Sequence, residues 1–315
     1  MWTMLVVAVA LAADAAGTPP LKTLDDIRIR DPFVLPVAET GWYYLYGTGR
    51  PLGEQGFDAY RSRDLKQWEG PFAVFRAPAG FWGVKDFWAP EVHRYRGKYY
   101  MFATFLPKEP EQRGTGILVA DAPEGPFVPH SEGPATPREM RALDGTLFID
   151  PEGKPWMVFC HEWEQIVDGS ICAMRLSEDL KRAEGAPVTL FHASQAAWVV
   201  QMGFGGRQGK ITDGPWVWRE PDGSLVTLWS SFGAGKQYMT STARSASGSI
   251  TGPWVPSPEP FFTEDGGHGM FFETFDGKRL LSLHQPNRHP DERAKFFTLE
   301  TGGGVVRVTG SWDTP

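Results

Sequence analysis

The sequence predicts an all-β chain folded as a five-bladed β-propeller, each blade a four-stranded antiparallel sheet. Three observations lead there. The chain holds 36 Gly and 27 Pro, about a fifth of its residues against roughly 12% in an average protein. It also holds 13 Trp and 21 Phe, and aromatics set between such punctuation describe short strands and tight turns better than helices. Finally, one unit recurs five times: a strand opening, a short turn and a second, aromatic-rich strand.

The copies run in order. The first is RDPFVLPVAETGWYYLYGTG from Arg30 and the second APEVHRYRGKYYMFATF from Ala89. LDGTLFIDPEGKPWMVFCHEW follows from Leu143, TDGPWVWREPDGSLVTLWSS from Thr212 and GGHGMFFETFDGKRLLSLHQPN from Gly266. In each, a turn such as Arg-Gly-Lys, Pro-Asp-Gly or Asp-Gly-Lys separates two runs of β-formers, the pattern of a hairpin. A second element follows. SRDLKQWEGPFAVF from Ser62 matches SEDLKRAEGAPVTLF from Ser177, ADAPEGPFVPHSEGP from Ala120 resembles SASGSITGPWVPSPEP from Ser245, and KFFTLETGGGVVRVTG from Lys295 completes the fifth unit. These read as a third strand, a turn and an outer edge strand. A lone blade cannot bury both faces, so the five close radially. Helix should be nearly absent; DERAKFF from Asp291 is the best candidate for a helical turn.

Residues 18–315 therefore form a single propeller domain. Residues 1–17 read as a signal peptide, an apolar run too short to span a bilayer followed by small residues, although no Lys or Arg precedes it. The expected location is secreted or periplasmic, with no membrane span elsewhere. The net charge of -7 and the lack of a basic cluster argue against a nucleic-acid partner; oligomeric state is not legible. Only Cys160 and Cys172 are present, which excludes a disulfide framework or cysteine metal cluster and leaves one bridge or two buried thiols.

In a propeller the first strand of each blade lines the central channel, so blade openings converge at one end of the axis. The repeat places Asp31, the Ala89-Pro90-Glu91 turn, Asp144, Asp213 and His268 there. One aspartate in a turn is ordinary turn chemistry. Three at equivalent repeat positions point to clustered carboxylates, which raise one another's pKa and call for a use. Paired carboxylates suit glycoside hydrolysis, one protonating the leaving oxygen while the other activates water. Trp82, Phe87, Trp88, Trp163, Trp198, Phe204 and Phe232 lie near the openings, where rings could stack on sugar C–H faces or serve as core wedges.

RDPFV, FWAPEVH, LDGTLFID with HEW after it, TDGPWVWR, and GGHGMFF with LHQPN together resemble the blade openings of family 43 glycoside hydrolases, over roughly residues 22 to 312. The resemblance implies an inverting enzyme with Asp31 as general base, Asp144 as the residue that orients the acid and tunes its pKa, and Asp213 as general acid. The family's acid is usually a glutamate; an aspartate retracts the proton by about 1.5 Å, and misplacements near 1 Å can cost about 100-fold in rate. Glu162 in HEW is the rival acid. Candidate substrate-binding residues are Trp88, Glu91, His161, Glu162, Trp163, Phe232, His284 and Arg288. No cofactor is required for the chemistry, but the resemblance also implies a structural Ca²⁺ on the propeller axis, held through His268 and water. The expected substrate is an arabinose- or xylose-containing glycan, from which arabinofuranosyl or xylosyl units are removed. The alternatives are an endo-arabinanase, a galactosidase or a non-catalytic carbohydrate-binding propeller.

Overall fold

The structure, a computed structural model, describes residues 20–49 and 55–312; the segment read as a signal peptide lies outside them. Blade one comprises β1 (Arg30–Val37), β2 (Trp42–Thr48), β3 (Gly56–Ser62) and β4 (Trp68–Arg76). Blade two holds β5 (Gly83–Tyr95), β6 (Lys98–Pro107), β7 (Gly114–Ala120) and β8 (Val128–Pro129). Blade three holds β9 (Ala142–Ile149), β10 (Pro155–His161), β11 (Ser170–Leu176) and β12 (Ala183–His192). A small hairpin, β13 (Met202–Phe204) and β14 (Arg207–Gly209), precedes blade four. That blade has β15 (Asp213–Arg219), β16 (Leu225–Phe232), β17 (Tyr238–Ser245) and β18 (Val255–Pro256), and blade five β19 (Gly267–Glu273), β20 (Arg279–Gln285), β21 (Arg293–Gly302) and β22 (Val305–Ser311).

Strands pair in chain order within each blade, and the innermost strands touch in a closed cycle, β1 to β5 to β9 to β15 to β19 and back to β1. That cycle is the propeller. Each blade comes from one continuous stretch, so the ring closes by contact between its two ends. At this seam Arg28 bridges to Arg293 across short β pairing. The Ile29 N–H donates to the Glu292 carbonyl at 3.3 Å, and Arg28 and Arg30 share the buried Glu292 carboxylate at 3.3 and 3.2 Å.

The sequence match between SRDLK and SEDLK has a local cause. Ser62 accepts the Leu65 N–H at 2.9 Å and Asp64 those of Lys66 and Gln67. Ser177 and Asp179 cap the later turn in the same way, on Lys181 and Arg182. Leu65 and Leu180, at φ 63 and 59, take its left-handed position. Aromatic rings wedge between blades: Trp229 is fully buried against Trp198 and Phe191, and Phe87 packs on Phe57 and Phe105, which places Trp198 and Phe87 in the packing. Residues 291–297 form no helix, since β21 begins at Arg293; among the described residues helix is limited to one α-turn, Trp163–Ile166, and three 3-10 turns, Leu24–Asp26, Ala193–Gln195 and Ala234–Lys236. Cys160 and Cys172 are buried free thiols. Cys172 pairs across from Phe159 and Cys160 from Ile171, which turns the two thiols to opposite faces of the sheet.

Candidate active site

Every inner strand opens with an irregularity. Arg30 pairs with Thr48, Trp88 with Thr104, Leu143 with Cys160, Asp213 with Ser230 and Gly267 with His284, and the register shifts just after each pair. The residue after the pair is left-handed: Asp31 at φ 51, Ala89 at 44, Asp144 at 56, Gly214 at 54 and His268 at 52. This corrects one expectation. The position equivalent to Asp31 and Asp144 is Gly214, and Asp213 lies one residue earlier, level with Arg30, Trp88 and Leu143. Glycine suits the place twice over, for its φ and because an added Cβ would lie 2.7 Å from the His268 ring. The non-glycine residues there accept local backbone strain, which concentrates at functional sites.

A side chain on the second strand of one blade clasps the next blade's bulge. Thr48 Oγ1 accepts the Ala89 N–H at 2.7 Å, Thr104 Oγ1 that of Asp144 at 2.9 Å and Ser230 Oγ that of His268 at 2.9 Å. His284 Nδ1 accepts the Asp31 N–H at 3.2 Å, closing the circuit across the seam. In blade three the corresponding residue is Cys160, a weak acceptor, and the Gly214 N–H instead donates to Asp144 Oδ2 at 3.1 Å.

These elements surround a cavity of about 420 Å³ lined by Arg28, Arg30, Asp31, Thr48, Trp88, Leu143, Asp144, Asp213, Tyr238, His268, His289 and Glu292. His268 Nδ1 stands 3.3 Å from Asp31 and 3.7 Å from Asp144. Burial disfavours charge on this ring, but Asp31 and then Asp144 outweigh it and raise its pKa to about 10, so His268 is an imidazolium. Burial likewise opposes charge on Asp31. The imidazolium beside it and then Arg30 hold its carboxyl well below the usual carboxylate range, and Thr48 donates to its Oδ2 at 2.6 Å. His284, buried, is depressed to about 4. Its neutral ring accepts at Nδ1 and therefore donates from Nε2 to Asn287 at 3.1 Å.

Asp144 and Asp213 move the other way. Asp144 is raised by burial and by Asp31, against His268. Asp213 is raised to about 7 by burial and then by Asp144, while His268 and the Tyr238 hydroxyl pull it down; that hydroxyl donates to Asp213 Oδ2 at 3.0 Å. One cavity thus holds an ionised carboxylate and a carboxyl that keeps its proton near neutrality. Environments that drive two acids apart in this way divide labour between a base and an acid.

Glu162 is not part of the lining. Its oxygens lie 2.9 and 3.0 Å from Arg113, which also bonds Asp86 at 2.7 Å and stacks over Trp88 at 4.6 Å. Burial raises Glu162 to about 7, opposed by Arg113. Glu91 is buried and bound to His93 at 3.1 Å, and His161 bonds Gln165 at 2.8 Å. Trp163 is buried, and Phe232 packs against Tyr238 at 5.1 Å. Arg288 pairs with Asp291, outside the lining. Of the expected binding residues only Trp88 faces the cavity, while His284 supports Asp31 from beneath.

The lining also includes residues that the repeats did not single out: Arg28, Thr48, Leu143, Tyr238, His289 and Glu292. Thr48 had a signal, as the residue paired with Arg30; Tyr238, arriving on a third strand, had none. Among the described residues no group of three His, Cys, Asp or Glu forms a metal-ligand set. His268, expected to hold an axial ion through water, turns its Nδ1 toward Asp31 and Asp144.

Comparison with known proteins adds a family. The sequence model of Glycosyl hydrolases family 43 matches residues 26–301. Extracellular endo-alpha-(1->5)-L-arabinanase 2 of Bacillus subtilis (strain 168) is 24% identical over 302 residues, 85% of this chain and 58% of that protein. Xylosidase/arabinosidase 43A of Humicola insolens is 35% identical over 82 residues, 26% of this chain and 24% of that protein. The chain thus spans less than two thirds of the length of these relatives. Among solved structures, the endo-arabinase from Bacteroides thetaiotaomicron VPI-5482 is 42% identical with a TM-score of 0.86, covering 90% of this chain and 99% of that one. An endo-1,4-beta-xylanase from the same organism is 25% identical with a TM-score of 0.77, covering 92% and 97%.

Proposed function

Because the chain belongs to glycosyl hydrolases family 43, we propose that it hydrolyses α-1,5-linked L-arabinan, cutting within the polymer and inverting the anomeric centre. The observation that carries the chemistry is the convergence of Asp31, Asp144 and Asp213 on one cavity, where neighbouring charge favours the ionised form of Asp31 and burial the protonated form of Asp213. Asp31, ionised, takes a proton from the attacking water as its oxygen bonds to the anomeric carbon. Asp213 gives its proton to the glycosidic oxygen as the C–O bond breaks. Both transfers are needed once per turnover. Tyr238, 3.0 Å from Oδ2, holds the orientation of the Asp213 carboxyl. Asp144 fixes the turn after Asp213 through the Gly214 N–H, and its charge helps to keep Asp213 protonated. His268 lies between Asp31 and Asp144 and offsets their repulsion.

Arabinan rather than a single terminal arabinofuranosyl or xylosyl unit is favoured by the 42% identity to a structure described as an endo-arabinase over nearly all of both chains. Two relatives named as extracellular support export as the fate of this protein.

The test is digestion of linear α-1,5-arabinan, with product sizes followed by chromatography and the first-formed anomer by NMR. Intermediate-length oligomers and inversion are expected; release of arabinose alone would overturn endo action, and retention would overturn the two-carboxylate scheme. Asp213→Asn should cost far more on arabinan than on a nitrophenyl arabinofuranoside, whose leaving group needs little protonation. If Glu162→Gln shows that pattern instead, the acid is misassigned.

A further inference from the structure

A second cavity, of about 360 Å³, opens on the same face as the first and is lined by Phe81, Trp82, Pro107, Arg113, Pro134 and Met140 among others. Its three contributing segments are the run into β5, the loop between β6 and β7, and the connection from blade two to blade three. The first and third precede blade openings and the second follows an outgoing second strand, so all belong to the catalytic end. The two cavities share a wall: Arg113 lines the second and stacks at 4.6 Å over Trp88, which lines the first.

The second cavity is closely built. A Cβ at Gly116 would lie 2.8 Å from Trp82, one at Gly83 2.6 Å from Phe105, and one at Gly114 2.6 Å from Pro134. The Trp82 ring meets Phe105 edge-on at 5.3 Å, which fixes its plane. Around these apolar surfaces stand Lys108, Glu109, Gln112, Arg113 and Arg138. Rings and prolines for C–H faces, rimmed by donors and acceptors for hydroxyls, make a surface for a neutral sugar unit.

From this we infer that the Trp82 pocket is a distal subsite, holding a sugar unit of the same polysaccharide chain that crosses the Trp88–Arg113 wall into the catalytic cavity. It rests on the endo-arabinanase reading and gives endo action a structural basis, because binding remote from the cleaved bond rewards long substrates over short ones.

The experiment is a length series of α-1,5-arabino-oligosaccharides and linear arabinan, comparing the wild type with Trp82→Ala and with the rim double variant Lys108→Ala/Arg138→Ala. Trp82→Ala should lower kcat/KM on the polymer by about tenfold, the scale of a lost aromatic anchor, while the shortest cleaved oligosaccharide is unaffected. The rim variant should show the same length dependence at a few-fold. Equal losses at every length, or a folded rim variant with none, would overturn the subsite. If the wild type cleaves xylan and not arabinan, the substrate reading fails, and the same series in xylo-oligosaccharides decides the pocket. If it cleaves neither, affinity electrophoresis in arabinan and xylan gels decides it, and equal migration of wild type and Trp82→Ala would overturn it.

Discussion

Four of the five blade junctions are joined alike and one is not. From blade one to two, two to three, four to five and five to one, a Thr, Ser or His on the second strand accepts the next blade's bulge amide. Between blades three and four the acceptor position is Cys160, and the amide of Gly214 turns to Asp144. The regular junctions use an uncharged acceptor on the second strand, and two of these, Thr48 and His284, bond Asp31. The odd one transfers the acceptor role to a carboxylate in the cavity, which at one stroke positions the Asp213 turn and places a negative charge beside it. A gap in the scaffold's repeat has become part of the acid's support.

The largest test of this contrast is Asp144→Asn. The amide still accepts the Gly214 N–H but carries no charge, so Asp213 loses a cause of its raised pKa. We expect kcat/KM on arabinan to fall by on the order of 100-fold or more, with the alkaline limb of the pH profile moved to lower pH. An unmoved limb would detach the two carboxylates. Ser230→Ala breaks a regular junction and leaves the His268 N–H buried without its acceptor; the unfolding free energy should fall by about 1–3 kcal/mol, with a smaller effect on turnover. A denaturation midpoint equal to wild type would mean that the clasps contribute no stability.

Tyr238→Phe removes a hydrogen bond that favours ionised Asp213, so its pKa should rise further. The sign is opposite to that of Asp144→Asn: the alkaline limb, which wild type reaches near the Asp213 value of about 7, should move to higher pH, with a few-fold change in kcat. The smallest effect is expected for Cys160→Ser, which restores a good acceptor at the odd junction. If the hydroxyl competes for the Gly214 N–H, activity falls about two- to fivefold, within the worth of one hydrogen bond, while thermal stability holds. Unchanged kinetics would show that Asp144 keeps the amide regardless.

The fold was legible because the repeat is written in turns and aromatics, residue types that local geometry demands. Asp31 and Asp144 were legible for the same reason, each at a left-handed bulge in its own copy. The displacement of Asp213 by one residue was not, because TDGPW aligns with LDGTL on the page while only pairing with Ser230 reveals where the bulge falls. Arg28, Tyr238, His289 and Glu292 reach the cavity from a leading segment, a third strand and the approach to another. Their places follow from ring closure rather than from any pattern within a blade. Among the expected binding residues, Glu162 and Arg288 found ion-pair partners of their own, a competition that sequence spacing does not disclose.

The seam between blades five and one carries a further consequence. Asp31 stands on one side of it, and His268 and His284 on the other, yet the base depends on both for its charge and its amide bond. The proton-abstracting group is thus assembled across the joint where the first and last blades meet. Parting the first and last blades, by heat or denaturant, would dissolve the base before any single blade lost its strands. Catalysis in this molecule should therefore report on closure of the circle and fail earlier than spectroscopic measures of sheet content.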